Sequence, residues 1–185
     1  MTESRFERLI LLIKQGDRQG LREIYDEYGK MIFSAALSVA GNRHDAEDIT
    51  SDFFIKLWEK LADTYKFGGG HKRWLVAAAR NCAVDYLRRN GREVLSLDDD
   101  DEDSPHDIAD NTDAENTVIG DMTVREALCT LSVSEREIVN MKLFADLTFE
   151  DIAKTLGKPL GTVAWKYRTA LKKLERCIKE VRSDE

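Results

Sequence analysis

Proline occurs only twice in 185 residues, and no stretch alternates β-branched with polar side chains over a strand's length, so the pattern argues against a sheet. Cysteine is also scarce. Cys82, Cys129 and Cys177 are odd in number, far apart and free of CxxC or CxxH spacing, which excludes a disulfide framework and a zinc site and leaves thiols packed as small apolar groups. Histidine occurs three times, as His44, His71 and His106 in unrelated contexts, so no carboxylate–histidine set has metal-ligand spacing. Gly68-Gly69-Gly70 precedes His71-Lys72 but lacks the spacing of a phosphate-binding loop. These absences predict no enzyme, no cofactor and no metal. Nowhere does an apolar run reach the roughly 18 residues of a membrane span, and the acid-bearing N-terminus does not read as a signal peptide. A cytoplasmic protein is expected.

Charge is abundant but unevenly placed. The formal net charge of −7 speaks against a nucleic-acid binder. Yet eleven Asp or Glu and no Lys or Arg lie between Val94 and Asp121, and without them 28 basic residues face 24 acids, a net +4. Lys154–Lys179 holds eight basic residues and one acid, Glu175; His71–Arg92 holds six and one, Asp85. Two basic blocks flank an acidic one, a footprint that the whole-chain charge hides.

Apolar residues recur at helical spacing almost throughout. Phe6, Leu9, Ile10 and Ile13 form one stripe ending near Gly16; Leu21, Ile24, Tyr25, Tyr28, Ile32, Ala35, Ala36 and Val39 form a second ending at Gly41. Asp45 reads as the N-cap of a helix that uses Ile49, Phe53 and Leu57, and a further helix runs from about Lys72 to Arg89, where Asn90-Gly91 stops it. The acidic, aperiodic stretch 94–116 reads as a flexible linker. Helical patterning then resumes, with Ser134/Glu137 and Thr148/Asp151 as two candidate capping boxes. The predicted architecture is all-α: a helical domain over 1–93, the acidic linker, and a second small helical domain over 117–185.

The sharpest motif lies in the second domain. Ile152, Ala153 and Leu156 face inward on a short helix that ends at Gly157; Pro159 suits the first turn of the next helix, and Val163 packs that helix back on the first. This is the helix-turn-helix pattern, whose second helix enters the major groove. At 100° per residue, Val163, Tyr167, Ala170 and Leu174 face the core, while Gly161, Thr162, Trp165, Arg168, Thr169 and Lys172 face DNA. Arg168 suits guanine, Trp165 and Thr169 suit base edges or a thymine methyl, and Lys158, Thr162, Lys166 and Lys172 suit phosphates. The plainer reading is a basic helix solvated on a bundle.

Asp45-Ala-Glu-Asp-Ile-Thr-Ser-Asp-Phe-Phe-Ile-Lys-Leu-Trp58, followed by Trp74-Leu-Val-Ala-Ala-Ala-Arg-Asn-Cys-Ala-Val-Asp-Tyr-Leu-Arg-Arg89, resembles region 2 of the extracytoplasmic-function sigma factors. The helix-turn-helix, with Leu131-Ser-Val-Ser-Glu-Arg-Glu-Ile-Val139 before it, resembles region 4 of the same family. The resemblance implies a sigma factor that binds core RNA polymerase and recognises and opens promoters. It implies that Glu47, Asp48, Ser51, Asp52 and Ile55 meet the polymerase clamp coiled coil, although the family usually has glutamine where Ser51 stands. It implies a loop over Tyr65–Arg73, with Phe67, His71 and Lys72, that captures a flipped base of the minus-ten element. Trp74, Arg80, Asn81, Arg88 and Arg89 follow on the next helix, with Asn81 the first candidate reader and Trp74 either reader or core. It implies that Ala164, Trp165, Arg168 and Thr169 read the minus-thirty-five duplex, though Ala164 and Thr169 stand where the family often has a long polar residue.

Further partners implied by the resemblance are the polymerase flap and an anti-sigma factor; a monomer is expected when free. The linker either threads the polymerase cleft, its carboxylates standing in for phosphates, or serves as a solubilising tether. Two rivals remain open: an autonomous helix-turn-helix regulator, which usually dimerises on a palindrome, and a helical adaptor that binds polymerase without promoter specificity.

Overall fold

A computed structural model describes residues 1–91 and 130–183, with side chains through 179. The acidic linker, Cys129 and the domain boundaries expected at 93/94 and 116/117 lie outside the described residues. Among those described, every regular element is helical.

The first unit is built on its second helix. α1 (Glu3–Lys14) buries the whole Phe6, Leu9, Ile10, Ile13 stripe, and Gly20 decides how closely it approaches α2 (Arg18–Ala40). A Cβ at Gly20 would lie 2.6 Å from the Leu9 carbonyl oxygen, so only glycine fits there. α2 spans about 34 Å at the helical rise of 1.5 Å per residue. It buries Ile24, Tyr28, Ile32, Ala35, Ala36 and Val39 and ends at Gly41 with φ 75°. Tyr25, expected in that stripe, is exposed instead; it borders the stripe and lies edge-on to Phe54 at 4.9 Å.

α3 (Arg43–Lys56) starts earlier than the sequence suggests. Asn42, not Asp45, is the N-cap, its side-chain oxygen accepting from the Asp45 N–H at 2.9 Å. Asp45 sits buried inside the first turn, where its carboxylate accepts from the Asn42 amide at 2.6 Å. Ala46 is buried on this helix with Ile49 and Phe53. A π-helical turn, Leu57–Leu61, then leads into α4 (Ala62–Thr64), and the Ala62 N–H donates back to the Leu57 carbonyl. That longer step puts buried Leu57 and Ala62 on one face. α5 (His71–Arg89) closes the bundle with Leu75, Val76, Ala79, Cys82 and Ala83 inward.

In the second unit the described residues form α6 (Val133–Leu143), α7 (Phe149–Leu156) and α8 (Leu160–Ser183). The capping box of α6 is Ser132 with Glu135, not Ser134 with Glu137. Ser-x-x-Glu fits both registers, and the upstream one leaves Glu137 inside the helix. Thr148 caps α7 as expected, accepting from the Asp151 N–H at 3.1 Å. Gly157, with φ 65°, makes the turn into α8, and the Pro159 carbonyl accepts from the Val163 N–H. Val163 and Ala170 are fully buried, as expected.

The two units share a core. Ile138 and Met141 of α6 join the apolar cluster of α2 and α5, which continues through Leu147, Ile152 and Val163. At the seam the Asn140 amide donates to the Ser34 hydroxyl of α2.

The α1–α2 contact sets up a test. Alanine is favoured over glycine in a helix interior by about 0.5–1 kcal/mol. At Gly29 an added Cβ would meet nothing closer than 3.9 Å, so Gly29→Ala should stabilise the chain by that amount. Gly20→Ala should instead destabilise it by about 1–3 kcal/mol, the usual cost of overpacking. Chemical denaturation distinguishes them; equal stabilisation by both would contradict the packing described.

Candidate nucleic-acid interface

Three surfaces gather the residues singled out from the sequence. The first is the outer face of α3. Glu47 and Asp48 are exposed, Asp52 is half-buried, and each carboxylate has a partner: Arg43 Nε to Glu47 at 2.7 Å, Tyr86 Oη to Asp48 at 3.0 Å, Arg89 Nη2 to Asp52 at 3.1 Å. Ser51 is exposed and donates to the Glu47 carbonyl at 3.0 Å. Ile55 is 55% exposed, adding an apolar side chain to an acidic face. Arg89, expected at DNA, is thus also engaged with the acidic face, through a pair exposed enough to be worth under about 1 kcal/mol.

The second surface is the glycine loop and α5. Phe67 is 51% exposed, its ring edge-on to the buried Tyr65 at 5.7 Å. The Gly70 N–H and the Tyr65 hydroxyl both donate to Glu3 Oε1, at 2.8 and 3.3 Å, and the Gly68 N–H donates to Glu7 Oε1 at 2.8 Å. Burial, then the Glu3 and Glu7 carboxylates, hold the Tyr65 hydroxyl well above the ordinary phenol range. Asn81, Arg88 and Arg89 are exposed on α5.

His71 departs from expectation. It is buried, stacked on Phe6 at 5.0 Å and hydrogen-bonded through Nε2 to Tyr28 Oη at 2.7 Å. At the first position of α5 it turns under the loop into the core, whereas exposure is expected from the sequence. Trp74 is half-buried in the same cluster, edge-on to Tyr65 at 5.2 Å, which favours the core reading. Tyr28, desolvated there, has its pKa pushed up to about 12.

Arg80 departs further. Its Nε donates to Glu137 Oε1 of α6 at 2.8 Å, with Arg80 16% and Glu137 1% exposed. Burial pushes the Glu137 carboxyl above its ordinary value against the pull of Arg80, and its Oε2 has no hydrogen-bond partner among the described residues. Lys72 lies 4.0 Å from Asp146, and Arg73 lies 3.6 Å from Asp151. Three α5 cations therefore face three carboxylates of the second unit. The sequence carried no signal for these pairings, because Glu137 also fits a capping pattern and the other two acids sit at a turn and a helix start.

The third surface is α8. Trp165 is 50% exposed; Gly161, Arg168 and Lys172 are exposed; Thr162, Ala164 and Thr169 are half-buried. Arg168 Nε donates to the Ala164 carbonyl at 3.1 Å. Lys158 is half-buried and near enough to Glu137 to oppose its raised pKa. Lys166, expected at phosphate, is buried and reaches the Ser134 hydroxyl at 3.4 Å. It stands three residues after Val163 and four before Ala170, which puts it on the inward face.

The family profile described as Sigma-70 region 2 matches residues 24–93, and that described as Sigma-70, region 4 matches residues 121–174. The chain is 23% identical to the ECF RNA polymerase sigma factor SigW of Bacillus subtilis over an alignment of 193 residues, covering 97% of this chain and all of SigW. It is 22% identical over 187 residues to the ECF RNA polymerase sigma factor SigK of Mycobacterium tuberculosis, covering 95% and 94%. Among solved structures, CnrH in complex with the cytosolic domain of CnrY shares the fold, with TM-score 0.63, 18% identity and 94% and 97% coverage. The sigma factor RpoE in complex with the anti-sigma factor NepR, from Bartonella quintana, gives TM-score 0.63 and 25% identity, covering 85% of this chain and 98% of RpoE.

The buried histidine makes stability pH-dependent. Burial lowers the His71 pKa below its ordinary 6.5, as do Lys72 and the terminal amine, against Glu3 and Glu27. A depressed folded pKa contributes stability that is present above pH 6.5 and is lost as pH falls towards the folded value. The wild-type chain should therefore lose more thermal stability than His71→Gln between about pH 7.5 and 5.5. Parallel losses would mean that His71 does not titrate with folding.

Proposed function

Since the chain belongs to the sigma-70 family of RNA polymerase sigma factors, in its extracytoplasmic-function group, and is an alternative sigma factor that binds RNA polymerase and recognises promoters, we propose how its surfaces divide that work. The exposed face of α8 reads the minus-thirty-five element as duplex. Ala164, Trp165, Arg168 and Thr169 meet base edges, and Lys158, Gly161, Thr162 and Lys172 meet the backbone. Lys166 packs the helix and takes no part. The observation that carries this reading is the division of α8, where Val163 and Ala170 are fully buried while Trp165 and Arg168 stand in solvent.

The acidic and apolar face of α3, from Glu47 to Ile55, docks on the polymerase clamp coiled coil, and the flap takes the second unit. The loop with Phe67, followed by Lys72, Asn81, Arg88 and Arg89, receives the opened minus-ten strand. Its exposed ring offers a stacking surface and Asn81 a donor–acceptor pair for an unpaired base edge. The chain supplies address and strand opening in the cytoplasm, and the bond-making chemistry is the polymerase's.

Arg80, Lys72 and Arg73 cannot serve nucleic acid while Glu137, Asp146 and Asp151 hold them. The packed arrangement is therefore the resting one, and the units part when polymerase is engaged. CnrH was solved with the cytosolic domain of CnrY and RpoE with the anti-sigma factor NepR. A protein of that kind, stabilising the packed arrangement, is the regulator we expect for this chain.

Transcription of fragmented genomic DNA by matched core polymerase, with and without the chain, tests the reading when 5′ ends are mapped. Discrete starts that share two spaced upstream elements should appear only with the chain. Duplex binding without such starts would favour an autonomous regulator. Arg168→Ala should cost about 1–3 kcal/mol and relax preference at one base pair; uniform weakening across minus-thirty-five variants would make Arg168 a phosphate contact.

A further inference from the structure

We infer that Glu3 and Glu7 of α1 are positioning residues that preform the glycine loop for its nucleotide, an inference that rests on the reading of this loop as the minus-ten capture site. Both lie before residue 24, where the Sigma-70 region 2 match begins.

The geometry follows from helical spacing. Residues four apart on a helix stand one above the other, with Cβ atoms about 5–6 Å apart. Glu3 and Glu7 are such a pair, and Phe6 between them is fully buried, which anchors that edge of α1 in the core. Their carboxylates take the N–H groups of Gly70 and Gly68, each at 2.8 Å, and Glu3 also accepts from Tyr65 at the loop's entry.

The loop needs holding. Gly68 and Gly70 have φ of 74° and 80°, and Gly69 passes so close to the Lys66 carbonyl that a Cβ would sit 2.9 Å from its oxygen. Three consecutive glycines can take these conformations, but they also carry the greatest backbone freedom to lose. Charge-assisted bonds to two of the three amides, with Arg73 donating to the Gly69 carbonyl at 2.8 Å, restrict that freedom before any ligand arrives. A preformed site binds more tightly because the ordering cost does not fall on the binding step.

The same bonds define what the loop recognises. Amides of glycine-rich loops can cradle phosphate oxygens, but here those of Gly68 and Gly70 are occupied by carboxylates, which repel phosphate. The loop is left to offer the exposed Phe67 ring, a surface for a base and not for a backbone anion. Glu3 and Glu7 thereby set both the shape of the site and its preference for the flipped base.

The test uses the full chain with core polymerase and promoter probes whose minus-ten strand is unpaired, each made intact or with a single abasic position. Wild type should bind the intact probe more tightly than the probe abasic at the captured position. Glu3→Ala/Glu7→Ala should lose about tenfold or more on the intact probe, the loss expected for charge-assisted hydrogen bonds, and little on the abasic one. Glu3→Gln/Glu7→Gln, which keeps acceptor oxygens, should recover most of the loss. In the free chain the Gly68 and Gly70 amides should be protected from hydrogen exchange in wild type and unprotected in the alanine variant. Equal losses on intact and abasic probes, or exchange unchanged by the alanine substitutions, would overturn the positioning role. If wild type ignored every abasic position in the minus-ten strand, the capture reading would fall first and this inference with it.

Discussion

Glu137 is almost wholly excluded from water, and a carboxyl group there needs either a proton or a cation. Arg80 supplies the cation, and in doing so it ties α6 to α5 across the seam between the two units. Beside this pair Ile138 and Met141 are set into the cluster of α2, and the Asn140 amide donates to Ser34. Removing one partner of a buried pair typically costs about 3–5 kcal/mol, because the other charge is stranded. The outer pairs, Lys72 with Asp146 and Arg73 with Asp151, are longer and wetter and add little stability. Their contribution is to specificity of docking: the row of cations on α5 meets a row of carboxylates, as it would meet the phosphates of a strand.

This arrangement gives one surface two occupants. Arg80 cannot touch DNA while it neutralises Glu137, and Glu137 cannot remain buried and charged once Arg80 leaves. Parting the units therefore exposes a basic helix and an acid together, and some other interaction must offset the loss. Polymerase and promoter offer one, through the face of α3 and the phosphates of the opened strand. The glycine loop borders this seam, since Arg73 both donates to the Gly69 carbonyl and pairs with Asp151, yet its main supports lie within the first unit. The loop is already held by α1, with His71, Phe6, Tyr65 and Trp74 packed beneath it.

Much of this was legible in the sequence because helical periodicity and terminator residues are local signals. The stripes of α1 and α2, the stops at Gly41 and Gly157, and the division of α8 all follow from residues within two turns of one another. The departures from expectation have equally specific causes. Asn42 and Asp45 are both good N-caps, as Ser132 and Ser134 are, and the local pattern fits either register; the structure caps with Asn42 and Ser132. Lys166 and Arg80 are expected at DNA on their charge, and in this structure each long stem carries its amine or guanidinium to a partner on another helix. His71 read as a loop residue because the helix start could not be placed to within one position. The pairing of Glu3 and Glu7 with glycine amides some sixty residues later, like that of Arg80 with Glu137, is long-range and leaves no trace in spacing.

The central claim is that the free chain is closed by the Arg80–Glu137 seam and opens on the polymerase. Single-molecule energy transfer between dyes attached at Glu59 and Lys154, both exposed, measures it directly. The account predicts a single short-distance population in the free chain, a long-distance population once core polymerase and promoter are added, and opening of the free chain by Arg80→Ala. A free chain that is already open, or a distance unchanged by polymerase and promoter, would contradict it.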